Sequence, residues 1–256
     1  MTDSAAALPV TISDAFGVHV VDLRIEVEAP GGRVSTAAPS PGDFEAAIRA
    51  QLDAGLHAVV VLTVAASMSA TYQAAVVGAR ELGARCRVLD TATAAGGQAL
   101  VVVAAAEAAQ HGALIDDVVR AASDVAARVR LVAMVPDLTH LVRSGRVPGL
   151  VGRAGSALGV HPLFELRSGS VKRLRPARSV ATAYERMLAR VERSRTPGAR
   201  GRVAVLHASA PREAEVLCAR LGRDDSLQVF VSEFGPVMEA HTGPGLVGLA
   251  WWWDPP

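Results

Sequence analysis

Between residues 40 and 135 the sequence switches repeatedly between helical and strand-like apolar patterns, and that alternation narrows its possible folds more than any other feature. Ser40-Pro41-Gly42-Asp43 suits a helix start: serine can cap, proline fits the first helical position, and an acid lies in the first turn. Phe44, Ala47, Ile48 and Leu52 then form one apolar stripe, which Gly55 ends. Residues 57–64 form a continuous β-branched run, as in a strand buried on both faces. A small, hydroxyl-rich turn follows, then a helix expected over 69–82, a strand over 85–89 ending at Asp90, a small-residue loop over 91–97 and a long alanine-rich helix. A further helix over 114–128 precedes a strand over 131–135. Strands that alternate with helices build a parallel sheet covered on both faces. Ligands of such sheets sit at the carboxyl ends of strands, and the turn at 67–71 is at such an end.

The second half reads as a mixed unit. A short helix is expected over 136–142, and strands over 163–166 and 170–174 flank Ser168-Gly169, a hairpin turn. A helix over 178–191, a break at Thr196-Pro197-Gly198, a strand over 203–207, a helix over 211–221 and strands over 228–231 and 246–253 complete it. The fold expected is α/β with two domains: an N-terminal parallel-sheet α/β/α domain over 1–135 and a C-terminal mixed α+β domain over 136–256. Trp251-Trp252-Trp253, on a terminal strand, would turn one face inward and leave the other exposed; packing into the sheet explains them, or else a contact with a partner or a membrane edge.

Half of the 256 residues are hydrophobic but only 4% are aromatic, so the core must be built from Ala, Val and Leu. Cys86 and Cys218 form no disulfide framework and read as reduced core thiols. Thr2, Asp3 and Ser4 interrupt any hydrophobic start, and the longest apolar run, 99–106, is too short to span a bilayer. A cytoplasmic protein with no stable membrane insertion is therefore expected. Net charge is only +1, yet residues 143–202 hold thirteen arginines and one lysine against three glutamates. Such a segment can meet nucleic acid or phosphorylated ligands, or be a solvated face. No aromatic platform accompanies the arginines, which counts against nucleic acid.

Four segments carry candidate chemistry. His241-Thr242-Gly243-Pro244-Gly245 sets an imidazole and a hydroxyl beside a proline turn whose glycines allow backbone to approach a ligand, or it simply closes a sheet. The turn at 67–73 brings hydroxyls to a helix start, where free N–H groups and the helix dipole favour an anion; Ser69 or Thr71 could equally cap that helix. Thr36, just before the helix start at Ser40, has the same two readings. Arg146 follows Gly145, either solvated or facing an anion. No histidine pairs at i, i+4 spacing, no phosphate loop or nucleophile elbow is present, and Gly96-Gly97 lacks the rest of a dinucleotide fingerprint. Binding is favoured over catalysis, with no catalytic residue, metal or cofactor assigned.

The order of these segments resembles the DegV family, the fatty-acid-binding subunits of bacterial fatty acid kinase. The family's motifs look like Thr2-Asp3-Ser4, Thr36-Ala37-Ala38-Pro39-Ser40, Ser69-Ala70-Thr71-Tyr72-Gln73, Asp90-Thr91, Leu141-Val142-Arg143-Ser144-Gly145-Arg146 and His241 to Gly245 here. The resemblance implies a two-domain α/β protein that buries a lipid. It implies that Thr36 and Ser69, with Ala70 and Thr71 beside them, hold the fatty acid carboxylate, and that Arg146 and His241 lie near it at the pocket mouth. There the family's separate, ATP-dependent kinase subunit phosphorylates the acid to an acyl phosphate. The sequence departs from the pattern where Ala70 stands for glycine and where Ala37 and Ala38 stand for serine and glutamine. The family also has a strand ahead of Thr2-Asp3-Ser4, so either the chain starts later or one sheet strand is missing.

The function expected is that of a carrier, not an enzyme, with a long-chain fatty acid in a buried tunnel. Ala94, Ala95, Gly96 and Gly97 and the helix after them leave room for a tail, or else serve close packing. Each buried methylene contributes about 0.8 kcal/mol, so a tail of roughly fifteen carbons contributes on the order of 10 kcal/mol gross. The head group needs hydrogen-bond donors, because a bare buried ion is very costly. The alternatives are a nucleic-acid-associated protein acting through 143–202 and a stand-alone hydrolase or transferase acting on a carboxylate.

Overall fold

The computed structural model describes residues 1–27, 34–136, 138–145 and 160–254. The chain opens with β1 (Thr2–Asp3), a 3-10 turn (Ser4–Ala6), α1 (Val10–Phe16) and β2 (Val20–Val21). β3 (Arg24–Val27) and β4 (Val34–Ala37) pair antiparallel, which sets Thr36 opposite Ile25. α2 (Pro41–Asp53) starts as its sequence dictates: the Asp43 amide donates to Ser40 Oγ at 3.2 Å, and the Ser40 amide donates to Asp43 Oδ2 at 2.7 Å. The Phe44 and Ile48 stripe is fully buried. β5 (Val59–Thr63), α3 (Thr71–Ala79), β6 (Cys86–Asp90), α4 (Ala95–Gln110) and α5 (Ile115–Arg128) follow. β2, β1, β5 and β6 lie side by side in that order, all parallel. Thr2-Asp3 thus supplies an inner strand only two residues long.

That short strand places a carboxyl in the core. Asp3 accepts from the amides of Ala5 (3.0 Å) and Val64 (2.8 Å) and from Gln98 Nε2 (3.1 Å), while Gln98 Nε2 also donates to Thr2 Oγ1 at 2.9 Å. Burial outweighs these donors and holds the carboxyl at about 6, up from 3.8. The folded chain therefore binds this proton more tightly than the unfolded one. Its stabilising effect is complete below 3.8 and is lost as pH rises through about 6. Between pH 5 and pH 7 the loss is about 1 kcal/mol. Urea unfolding should show wild type losing that stability across the interval and Asp3→Asn, which does not titrate, losing less. Identical pH slopes for the two proteins would contradict the assignment.

β7 (Arg130–Met134), α6 (Thr139–Ser144), β8 (His161–Arg167), β9 (Ser170–Ala177), α7 (Val180–Arg193), β10 (Gly201–His207), α8 (Pro211–Leu221), β11 (Leu227–Glu233), α9 (Pro236–Thr242) and β12 (Val247–Trp253) form the rest. Six of these strands make a mixed sheet in the order β11-β10-β12-β7-β8-β9. Only the β10–β11 pair in it is parallel. β7, which precedes residue 135, is hydrogen-bonded within this second sheet.

The three tryptophans of the last strand pack into the sheet, and neither face is left exposed. β12 lies between β10 and β7, with α4 and α5 packed on the face of Trp252 and α7 on that of Trp251 and Trp253; Trp251, Trp252 and Trp253 are only 1%, 7% and 6% exposed. Trp251 and Trp253 donate their indole N–H groups to Ser194 Oγ at 2.7 and 3.2 Å. Trp252 sits between the guanidinium groups of Arg128 and Arg202, at 5.0 and 5.4 Å.

α4 joins the two sheets, packing on β5 and α5 on one side and on β10 and β12 on the other. At Gly96 a methyl group would lie 2.3 Å from Leu206 Cδ2 and 2.6 Å from Ala204 Cβ. At Gly97 it would meet Thr93 Oγ1 at 2.4 Å. The space that these two glycines leave is filled by protein, so here close packing accounts for them. Cys86 is buried, Cys218 half-buried, and both are free thiols. No helix among the described residues is long and apolar enough to cross a membrane.

Candidate functional site

β5 and β6 end side by side at Thr63 and Asp90, and the loops beyond them are tied together. Asp90 Oδ1 accepts from the amides of Ala66 (3.1 Å) and Ala92 (2.8 Å). Thr91 Oγ1 donates to the Thr63 carbonyl at 2.8 Å, and the Ala65 amide donates to the Thr93 carbonyl at 2.8 Å. The hairpin between β8 and β9 then latches onto both loops. Its Gly169 amide donates to the Ala92 carbonyl at 2.6 Å, and Ser67 Oγ donates to the Gly169 carbonyl at 2.7 Å. Ser168 and Gly169 have φ of 48° and 70°, the conformation a two-residue hairpin turn requires.

Above these loops lies a cavity of about 450 Å³. Thr36 and Ala38 border it from the end of β4, residues 67–70 from the turn ahead of α3, and Ser144 and Gly145 from the end of α6. Thr36 and the Ser69-Ala70 turn, read from the sequence as separate elements, thus share one wall. Among the described residues that border it none is acidic, and three besides Thr36 are serines. Ser69 Oγ lies 2.8 Å from Thr71 Oγ1 and accepts from the Thr71 amide at 3.3 Å. Thr71 itself is fully buried, so it backs Ser69. Ala70 is the N-terminal cap residue of α3 and contributes no side-chain hydrogen bond there, so the amides of the first turn depend on Ser69, solvent or a ligand.

His241 reaches the same wall from the other half of the chain, with Nε2 2.6 Å from Thr36 Oγ1. It occupies the last turn of α9, and the glycine-proline turn begins after it. Gly243 and Gly245 have φ of 73° and 83°, and a methyl group on them would lie 2.5 Å from His140 Cδ2 and 2.7 Å from Pro136 Cγ. The close approach they permit is to the segment that carries α6, and so to the support of Ser144 and Gly145. Arg146 lies outside the described residues. His140 and the clamping role of Asp90 escaped the sequence reading, because their contacts are a glycine backbone and two amides, which leave no pattern in the residue types.

A hydroxyl-lined cavity at the carboxyl ends of parallel strands, beside a helix N-terminus, suits the head group of an anion. A family model described as "Uncharacterised protein, DegV family" matches residues 27–253. A DegV domain-containing protein of Streptomyces coelicolor is 35% identical over 271 residues, which span 97% of this chain and 96% of that protein. A Thermotoga maritima protein named fatty acid-binding protein is 26% identical over 90% of this chain and 81% of its own length. A solved structure, described as fatty acid binding of a DegV family protein from Thermus thermophilus, superposes with a TM-score of 0.89 at 26% identity, over 99% of this chain and 98% of that one. By motif order, fold and near-full-length similarity, this chain belongs to the DegV family.

Proposed function

We propose that this protein is a fatty-acid carrier that holds a long-chain acid with its carboxylate in the cavity between β4, the turn ahead of α3 and the end of α6. The observation that carries the reading is the convergence of Thr36 and Ser69 on one cavity, with no acidic side chain among the described residues that border it. Two hydroxyls and the amides of a helix start can hydrogen-bond a carboxylate that could not be buried bare. The Thermotoga maritima and Thermus thermophilus relatives, one named and the other described for fatty acid binding, support the ligand class. The carrier is not itself an enzyme: a separate ATP-dependent kinase subunit phosphorylates the exposed head group in the cytoplasm. His241, 2.6 Å from the Thr36 hydroxyl, and Arg146 screen the charge of the incoming phosphoryl group.

Native mass spectrometry of gently purified protein tests this. Wild type should carry an acid of roughly 14 to 18 carbons. Thr36→Ala with Ser69→Ala removes two hydrogen bonds to a charged group, and retention should weaken on the order of 100-fold. Lipid held as tightly by the double variant as by wild type would sink the carboxylate assignment. In the same preparation Arg146→Ala should keep its lipid but yield acyl phosphate more slowly with a fatty acid kinase; unchanged turnover would remove that role.

A further inference from the structure

Apart from Arg146, the arginine-rich stretch has no part in the carrier reading, yet four of its arginines converge. Arg175 of β9 and Arg186, Arg190 and Arg193 of α7 rim a second cavity of about 250 Å³. The three helix arginines follow one another at spacings of four and three, so they share one face of α7. The floor is apolar, made by Val132, Leu163, Leu174 and Met187. Val132, Leu163 and Met187 belong to the core between the second sheet and α7 and α8, whereas α4 covers the opposite face. The cavity is therefore separate from the hydroxyl-lined one.

Its charge is not balanced from within. Arg186 donates to the carbonyls of Arg175 (2.9 Å) and Pro176 (2.8 Å), which fixes its guanidinium without neutralising it. Arg190 reaches Glu165 only at 3.7 Å. The acids of α7 are turned elsewhere, Glu185 to Arg220 and Glu192 to Arg195. Arg175 and Arg193 have no carboxylate partner among the described residues. Four guanidinium groups thus face one distant carboxylate over an apolar base, an arrangement that an anion with several acceptor oxygens would relieve.

We infer that this cavity binds a phosphate monoester, with the phosphate held by the arginine rim and a small apolar or flat organic group on the Leu163, Leu174 and Met187 floor. Guanidinium forks match phosphate oxygens in pairs, and the floor rewards a ligand that is more than bare phosphate. The volume is smaller than that of drug-sized sites, and no aromatic side chain lines it among the described residues, so it suits a compact ligand and not a stacked nucleic-acid strand. This inference does not depend on the carrier reading.

Calorimetric titration of the full chain with phenyl phosphate, with inorganic phosphate and with phosphatidylglycerol vesicles tests it. Phenyl phosphate should bind saturably at one site and more tightly than inorganic phosphate. Arg175→Ala with Arg193→Ala should weaken it roughly tenfold or more, and these exposed positions should leave the unfolding midpoint unchanged. Arg223→Ala, exposed beyond the end of α8, should change nothing. The proposal is overturned if no saturable binding occurs, if Arg223→Ala weakens binding as much as the double variant, or if inorganic phosphate binds as well as the ester. Binding to vesicles alone would also overturn it, because the rim would then act as an open basic surface.

Discussion

Trp251→Ala is expected to lower the free energy of unfolding by about 3–5 kcal/mol. The side chain is 1% exposed on the inner strand β12, opposite Val203 of β10 and Arg130 of β7. It packs in the core that α7 and α8 share with the second sheet. Truncation empties that space on a strand held from both sides, where the backbone cannot collapse to fill it. The indole N–H bond to Ser194 Oγ at 2.7 Å is lost as well. Total stabilities of about 5–15 kcal/mol are usual, so the variant should be marginal at body temperature. Urea unfolding followed by far-ultraviolet circular dichroism measures the change; a loss under about 1 kcal/mol would mean that the residue is peripheral.

Gly96→Val should cost about 3 kcal/mol, at the upper end of overpacking effects. Intrinsic helix propensity argues for the opposite sign, since glycine inside a helix is about 1 kcal/mol worse than alanine. The geometry decides against propensity. Even the first carbon of a side chain would stand 2.3 Å from Leu206 Cδ2 and 2.6 Å from Ala204 Cβ, on a strand interior to its sheet. Gly42→Ala is the matched control. Its nearest neighbour would be Ser40 Oγ at 3.8 Å, so that substitution should be neutral or mildly stabilising. The idea of tight helix-to-sheet packing fails if both variants gain stability in thermal unfolding.

Elements with strong local signals were legible in the residues alone. α2 has its serine, proline and acid at the start, the Ser168-Gly169 turn takes positive φ at both positions, and α8 spans Pro211–Leu221 as read. β1 and β2 were not legible, because two residues cannot display a period. α1 and α9 bury none of their residues fully, so neither shows an apolar stripe. The sheet position of β12 could not be read either: chain order does not state strand order, and a strand at the end of the sequence took an inner place. Among the candidate site residues, Thr36, Ser69 and Ala70 were named from motif order and border one cavity. The small residues at 94–97 fitted both a tail and close packing, and only the position of Leu206 separates the two at Gly96.

Residues 95–105 of α4 are buried throughout, with one sheet on either side. Neither half of this molecule is thus a self-contained module. A fragment ending near residue 135 would leave the Leu206-facing flank of that helix bare, and the remainder would have lost the surface it folds against. The two halves are therefore expected to unfold in a single transition.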